Sequence, residues 1–242
     1  MAKLILVRHG ESTWNKENRF TGWTNVPLTD RGVEQAQQGG VALRNAHIHI
    51  DYAFTSYLVR AQETLKEMIV NAPVTQAWQL NERHYGALQG LNKQETAKEH
   101  GEDQVLLWRR SYDIRPPALN QDDTRHPKNN PLYADVDPEL LPATECLKDT
   151  VARTWPYYKE HIQPLLMQGK NVLIVAHGNS LRALIKELEG ISDEDILALN
   201  IPYALPIMYE INAQGSVESK RFLADEETRK ALEEEVKNQG KA

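Results

Sequence analysis

Apolar residues in this chain gather in short unbroken runs. KLILVR near the start and VLIVA before His177 are of strand length, the pattern of strands buried on both faces. FTSYL after Asp51 and PIMYEI from Pro206 predict two further strands. Between them the spacing of apolar positions lengthens to that of helices. Thr29 and Asp30 cap a helix running towards Asn45, weakened midway by Gly39 and Gly40. Helices also follow over Leu58 to Ile69, Leu147 to His161 and Leu181 to Leu188, the last stopping near Gly190. Strands alternating with helices predict an α/β fold: a three-layer sandwich with a mostly parallel central sheet flanked by helices.

Residues from about 82 to 143 break the alternation. The stretch is rich in Pro, Asn, Asp and His and too long for an ordinary connection. It reads as an inserted, loop-rich subdomain with two short helices first, held to the body by burial of Trp108, Tyr112, Leu132 and Tyr133. The remainder reads as one domain over residues 1–242. DEETRKALEEEVKNQGKA closes the chain as a charged helix followed by a flexible polar tail from about residue 236 to 242. The acidic run Glu233 to Glu235 is expected on a solvated face.

Composition narrows the function. Of 242 residues, 40% are hydrophobic, so a core is available without disulfides, and the single cysteine, Cys146, permits no intrachain bridge. The opening apolar run is too short for a signal segment or a membrane span, so a cytoplasmic protein is expected, with no membrane partner. A net charge of −6 argues against nucleic acid as a partner. It leaves room for a small anionic substrate, because a local arginine cluster dominates a cleft whatever the total charge.

Two stretches carry chemistry. LVRHGESTWN and VLIVAHGNSLR both end an apolar strand in His-Gly and then open a helix with small polar residues. Ligands of parallel α/β sheets sit beyond the carboxyl ends of the strands, so His9 and His177 are expected in one crevice. Helix N-termini there favour an anion, and Arg8 and Arg182 add positive charge. An imidazole facing a phosphate held by a guanidinium can attack phosphorus and form a phosphohistidine. His47 and His49 have spacing that suits a metal, but no cysteine or acidic cluster accompanies them, so a strand or loop edge is expected. Cys146 reads as an inert thiol, and Trp155, Tyr157 and Tyr158 as core or interface.

The residues also carry a resemblance. RHGESTWN, FTGW at 20–23, TSYLVRAQET at 55–64 and AHGNSLRAL at 176–184 resemble the histidine phosphatase superfamily. NERHYGALQGLNK at 81–93, WRRSYD at 108–113 and LKDT at 147–150 make the chain similar, nearly end to end, to the 2,3-bisphosphoglycerate-dependent phosphoglycerate mutase family. The resemblance implies interconversion of 3-phosphoglycerate and 2-phosphoglycerate in glycolysis and gluconeogenesis, with minor bisphosphoglycerate synthase and phosphatase activities. The priming cofactor would be 2,3-bisphosphoglycerate, with no metal. His9 would be the phosphorylated nucleophile, with Arg8, Arg60 and His177 around the transferring group and Glu82 as proton donor and acceptor. Asn15, Thr21, Gly22, Gly178 and Asn179 would complete the phosphate pocket. Arg83, Tyr85, Lys93, Arg109 and Arg110 would bind the rest of the substrate. A homodimer or homotetramer is implied.

Three places depart from the family pattern. The segment between Leu65 and Trp78 is shorter, Asp113 is followed by IRPP, and IPYALP at 201–206 stands where a Thr-Gly pair is usual. The last predicts a reshaped loop near the site, touching none of the residues given a catalytic role.

Overall fold

Neighbouring residues of the first strand face opposite layers, which is why its apolar run has no gaps. Leu4 and Leu6 join one core with Tyr158, Ile162, Leu181, Leu184 and Ile185, while Ile5 and Val7 join another with Leu43, Leu65 and Met68. The computed structural model describes residues 1–239. It has six strands, β1 (Ala2–Arg8), β2 (Tyr52–Thr55), β3 (Val74–Gln76), β4 (Val172–Ala176), β5 (Ile207–Ile211) and β6 (Val217–Phe222), in the order β3-β2-β4-β1-β5-β6. The first four strands run parallel, β5 is antiparallel to β1, and β6 is antiparallel to β5.

Helices α2 (Asp30–Asn45) and α3 (Val59–Glu67) cover one face, and α6 (Leu147–Tyr157), α7 (Gln163–Met167) and α8 (Gly178–Glu189) the other. The short α1 (Thr13–Lys16) follows β1, and α9 (Glu226–Gln239) ends the described chain. This is the mostly parallel, helix-flanked sheet that the sequence predicts. Among the described residues no helix is long and apolar enough to cross a membrane.

Several local expectations change. FTSYL does not continue as a strand: β2 stops at Thr55, and the Leu58 amide turns back to donate to Ser56 Oγ (3.1 Å). The helix predicted over Leu147 to His161 is α6, then a π-helical turn over Tyr158–Ile162, then α7, with Pro156 inside α6. Gly39 and Gly40 do not weaken α2 without return. A Cβ on either would run into a backbone carbonyl, of Ala204 or of Met68, so the helix lies against both loops only because these positions are bare.

Residues 82–143 hold α4 (Lys93–His100), α5 (Glu102–Arg110) and short 3-10 turns at Pro127, Pro131 and Pro138. α4 and α5 pack Ala97 and Val105 against Phe20 and Leu88, which ties the inserted helices to the loop after α1. Tyr133 is buried beside Trp23 and Leu141, and Trp108 and Tyr112 are half-buried, but Leu132 is exposed. Successive residues of a 3-10 turn point about 120° apart, so Leu132 and Tyr133 cannot both face inward. The expected tail is also different in part. Residues 236–239 continue α9, as the Ala, Leu, Glu and Lys before them favour, and 240–242 lie outside the described residues.

Candidate active site

β1 and β4 are adjacent and in register, with Arg8 opposite Ala176, so both His-Gly corners leave the sheet together. The rings of His9 and His177 come within 5.0 Å, centroid to centroid. His9 is buried, and its Nδ1–H donates to the Gly10 carbonyl (2.6 Å). That contact fixes the tautomer, because a carbonyl can only accept, and Nε2 keeps its lone pair. Arg60 Nε donates to this Nε2 at 3.3 Å. Burial first, then Arg60 and Arg8, hold the His9 imidazole well below its usual range, against the Gly10 contact. The ring is neutral at neutral pH, with the Nε2 lone pair on the side of Arg60.

Arg60 is also buried, and its other nitrogens donate to the carbonyls of Thr24 (3.0 Å) and Gly22 (2.8 Å). One side chain thereby ties His9 to the loop that follows Phe20. Gly22 sits at φ 52°, and a Cβ there would strike Gln89, whose Oε1 accepts the Trp23 amide (2.7 Å). Only glycine suits that corner.

Glu82 reaches the same cleft from the turn after β3. Its Oε1 accepts the amides of Arg83 (2.7 Å) and Asn179 (3.1 Å), the latter at the start of α8. Its backbone carbonyl accepts from Trp23 Nε1 (2.5 Å) and Arg153 Nη2 (2.9 Å). Arg153 is paired with the buried Glu145 (2.7 Å) and also holds the carbonyls of Gln79 and Asn81.

The cleft is lined by Arg8, His9, Arg60 and Glu82, by Asn15, Thr21 and Gly22, by Gly178 and Asn179, and by Tyr85, Lys93, Arg109 and Arg110. Two expected residues stand elsewhere. His177 lies behind His9, with Nε2 2.7 Å from Ser56 Oγ and the ring fully buried. Arg83 is buried under Tyr85, its guanidinium 4.5 Å from the ring centroid and donating to the Arg109 carbonyl. A side chain that follows Glu82 directly points away from the cleft once Glu82 points into it.

The sequence reading missed others. Arg19, Asn200, Tyr203 and Val236 line the cleft, Ser56 touches His177, and Arg153 with Glu145 grips the Glu82 turn. The loop at 201–206 does touch a residue given a catalytic role, since Tyr203 stacks on Arg8. Glu235 is not simply on a solvated face, since it pairs with Arg31 (2.8 Å) next to Val236. His47 and His49 are exposed, and among the described residues no group of three or more His, Cys, Asp or Glu converges on a metal-sized site. Arg182, which the sequence placed near the second corner, lines the cleft and bonds Asn179 Oδ1 (3.0 Å).

Among the described residues, seven that line the cleft are cationic and one, Glu82, is a carboxylate. Their crowding is visible in their proton affinities. Burial and then Arg109 pull Lys93 down to about 7, while burial and then Arg110 pull Arg182 down to about 9. Arg109 and Arg110 are lowered too, by burial before any neighbour. Like charges held this close, in a partly desolvated cleft, form a strong site for an anion.

Comparisons with known proteins bear on the fold and on the family. Among solved structures, the alpha-ribazole phosphatase from Shigella flexneri has 24% identity and a TM-score of 0.66, with 89% of this chain and 93% of that one covered. A mycobacterial glucosyl-3-phosphoglycerate phosphatase complexed with VO3 has 22% identity and a TM-score of 0.66, covering 92% and 96%. Bacillus stearothermophilus YhfR has 22% identity and a TM-score of 0.67, covering 90% and 95%. At such identities the likeness is one of fold. The family follows from a different comparison: the model of the histidine phosphatase superfamily (branch 1) matches residues 4–220, and the chain belongs to that superfamily.

Proposed function

We propose that this protein interconverts 3-phosphoglycerate and 2-phosphoglycerate through a phosphohistidine at His9, primed by 2,3-bisphosphoglycerate. The observation that carries the reading is the second set of cations. Arg8 and Arg60 serve the phosphoryl group at His9, and one such pair is enough for a simple phosphatase. Lys93, Arg109 and Arg110, brought in by α4 and α5, supply positive charge for a further anionic group on the same ligand. A phosphoglycerate carries a phosphate and a carboxylate, and its bisphosphorylated intermediate a second phosphate.

In the priming half, His9 Nε2 attacks phosphorus in line, the Nε2–P bond forms, and the P–O ester bond breaks. Glu82, as the acid, gives its proton to the leaving oxygen. In the second half Glu82 takes the proton from a substrate hydroxyl, that oxygen attacks phosphorus, and the electron pair of the Nε2–P bond returns to His9. Arginines supply the positive charge that a metal supplies to other phosphoryl-transfer enzymes, so none is needed. The residues that line the cleft suit a small anionic substrate, and the reading places the protein in the cytoplasm.

Phosphatase activity uses the same first half with water as acceptor, and solved phosphatases share the fold. The test is a direct comparison of rates. Mutase turnover on 3-phosphoglycerate is expected to require catalytic 2,3-bisphosphoglycerate, to persist in excess chelator and to exceed phosphatase turnover. Hydrolysis that exceeds isomerisation by tenfold or more would replace the mutase reading with a phosphatase.

A further inference from the structure

The loop IPYALP at 201–206 meets the catalytic arginine in three ways. Arg8 Nη1 donates to the Ile201 carbonyl (2.9 Å), the Ala204 amide donates to the Arg8 carbonyl (2.8 Å), and the guanidinium carbon lies 4.1 Å from the centroid of the Tyr203 ring. The Tyr203 ring is also 6.1 Å from that of His9, and both residues line the cleft. Ala204 pays for this placement: it sits at φ 51°, where a side chain is strained, and its carbonyl rests against Gly39 of α2. Strain kept beside a reacting group asks for a reason.

The reason lies in which part of Arg8 remains for a ligand. Ile201 takes Nη1 and Tyr203 covers one face of the plane, while Nε is buried with no hydrogen-bond partner among the described residues. A buried guanidinium N–H without an acceptor is costly unless an acceptor arrives. We infer that Tyr203 is a positioning and specificity residue that locks the plane of Arg8 so that its Nε edge is presented to the phosphoryl group beside His9. The cation–π contact leaves Arg8 no freedom to turn its end-on fork to the ligand. The phenol also closes the wall of the cleft at that point, so the group transferred is limited to one that fits side-on between Arg8 and His9. This rests on the proposed role of Arg8 at the phosphoryl group.

A double-mutant cycle tests it with inorganic phosphate as the probe, its dissociation constant read by 31P NMR titration of the full chain. Tyr203→Leu is expected to weaken phosphate binding by about five- to thirtyfold, the size of a desolvated cation–π contact. Tyr203→Phe, which keeps the ring but loses the hydroxyl that also bonds Arg8, should recover the part of that loss carried by the ring. In an Arg8→Ala background Tyr203→Leu should change affinity by less than twofold, because a residue that acts through Arg8 has nothing left to act on. Equal weakening in both backgrounds, or none in either, overturns the inference and leaves the cleft an anion site. A parent protein that fails to bind phosphate overturns the anion site and the inference with it. If Tyr203→Leu does not fold, the cycle is run with Ala204→Gly present, which releases the strain at φ 51° and restores stability.

Discussion

Arg60 aims its Nε–H at His9 Nε2 from 3.3 Å, so the guanidinium occupies the lone pair that attacks phosphorus in the proposed reaction. The contact orients the ring, and in the proposed reaction it would pass to a phosphoryl oxygen once the N–P bond forms. Since Nδ1 is committed to the Gly10 carbonyl, the phosphoryl group is expected on Nε2 alone. After incubation with labelled 2,3-bisphosphoglycerate the label should be acid-labile, alkali-stable, assigned to Nε2 by 1H–31P correlation, and absent in His9→Ala. Arg60→Lys keeps the charge but loses the fork that also holds Gly22 and Thr24, and phosphorylation should slow by about a hundredfold. Undiminished label in His9→Ala would remove His9 from the mechanism.

Glu82 is gripped on one carboxylate oxygen by two backbone amides, which leaves the other for proton exchange. Glu82→Gln preserves the shape and both amide contacts. kcat should fall by roughly a hundred- to ten-thousandfold with KM and melting temperature little changed. A kcat within a few-fold of the parent would move the acid–base role elsewhere.

Behind that glutamate, Arg153 spans the turn from Gln79 to Glu82 and neutralises Glu145, which is almost wholly buried. Arg153→Met strands that carboxylate and should cost about 3–5 kcal/mol in urea unfolding. Adding Glu145→Gln should return part of the loss. A single variant as stable as the parent would show that the pair carries no structural weight.

Acid should destabilise this protein earlier than its carboxylates alone require. Burial, then His126, push the His84 imidazole down to about 3, and burial holds His9 and His177 low as well. The unfolded imidazoles titrate near 6.5, so below that pH the unfolded chain binds protons that the folded one refuses. Stability is therefore full above about pH 7 and falls steadily as the pH drops towards 3. Melting temperature followed from pH 8 to 4 should show this decline, with a shallower slope in His84→Gln by about one proton. A flat profile down to pH 4.5 would contradict the buried neutral histidines.

Val236, near the end of α9, forms part of the cleft wall, with the exposed Arg31–Glu235 pair beside it. Removing residues 236–242 should leave the melting temperature almost unchanged, because little core is lost. It should cut mutase turnover and raise the ratio of phosphatase to mutase rates, because water then reaches the phosphohistidine. An unchanged ratio would assign closure of the cleft to α4 and α5 instead.

What could be read from the chain followed physical rules that act locally. Two buried strands ending in His-Gly, with arginine close by, placed the cleft before any contact was known. β3 and β6 were missed because both are edge strands with mostly exposed side chains, so neither VTQ nor VESKRF shows a hydrophobic period. The grip of Arg153 on Glu82 crosses 71 positions and leaves no local pattern at either end. Arg83 was placed in the cleft by likeness to a motif, yet backbone direction turns it inward beneath Tyr85. Tyr203 was visible only as a departure, and its meaning depended on where the loop lands.

The position of β4 has a consequence for how the protein is made. This strand fills the middle of the sheet, between β2 and β1, although it is the fourth to be synthesised. Among the described residues the strands paired with β1 are β4 and β5, both of which follow residue 171, so until they are made this apolar strand has no partner strand on either edge. The exposed hydrogen-bonding edges of β1 and β2 must stay apart from other chains until the late strand slides between them. The insertion carrying Lys93, Arg109 and Arg110 lengthens that wait. The cleft, which is built from both His-Gly corners, is thus among the last features to form, and a chain interrupted before residue 176 lacks one of its walls.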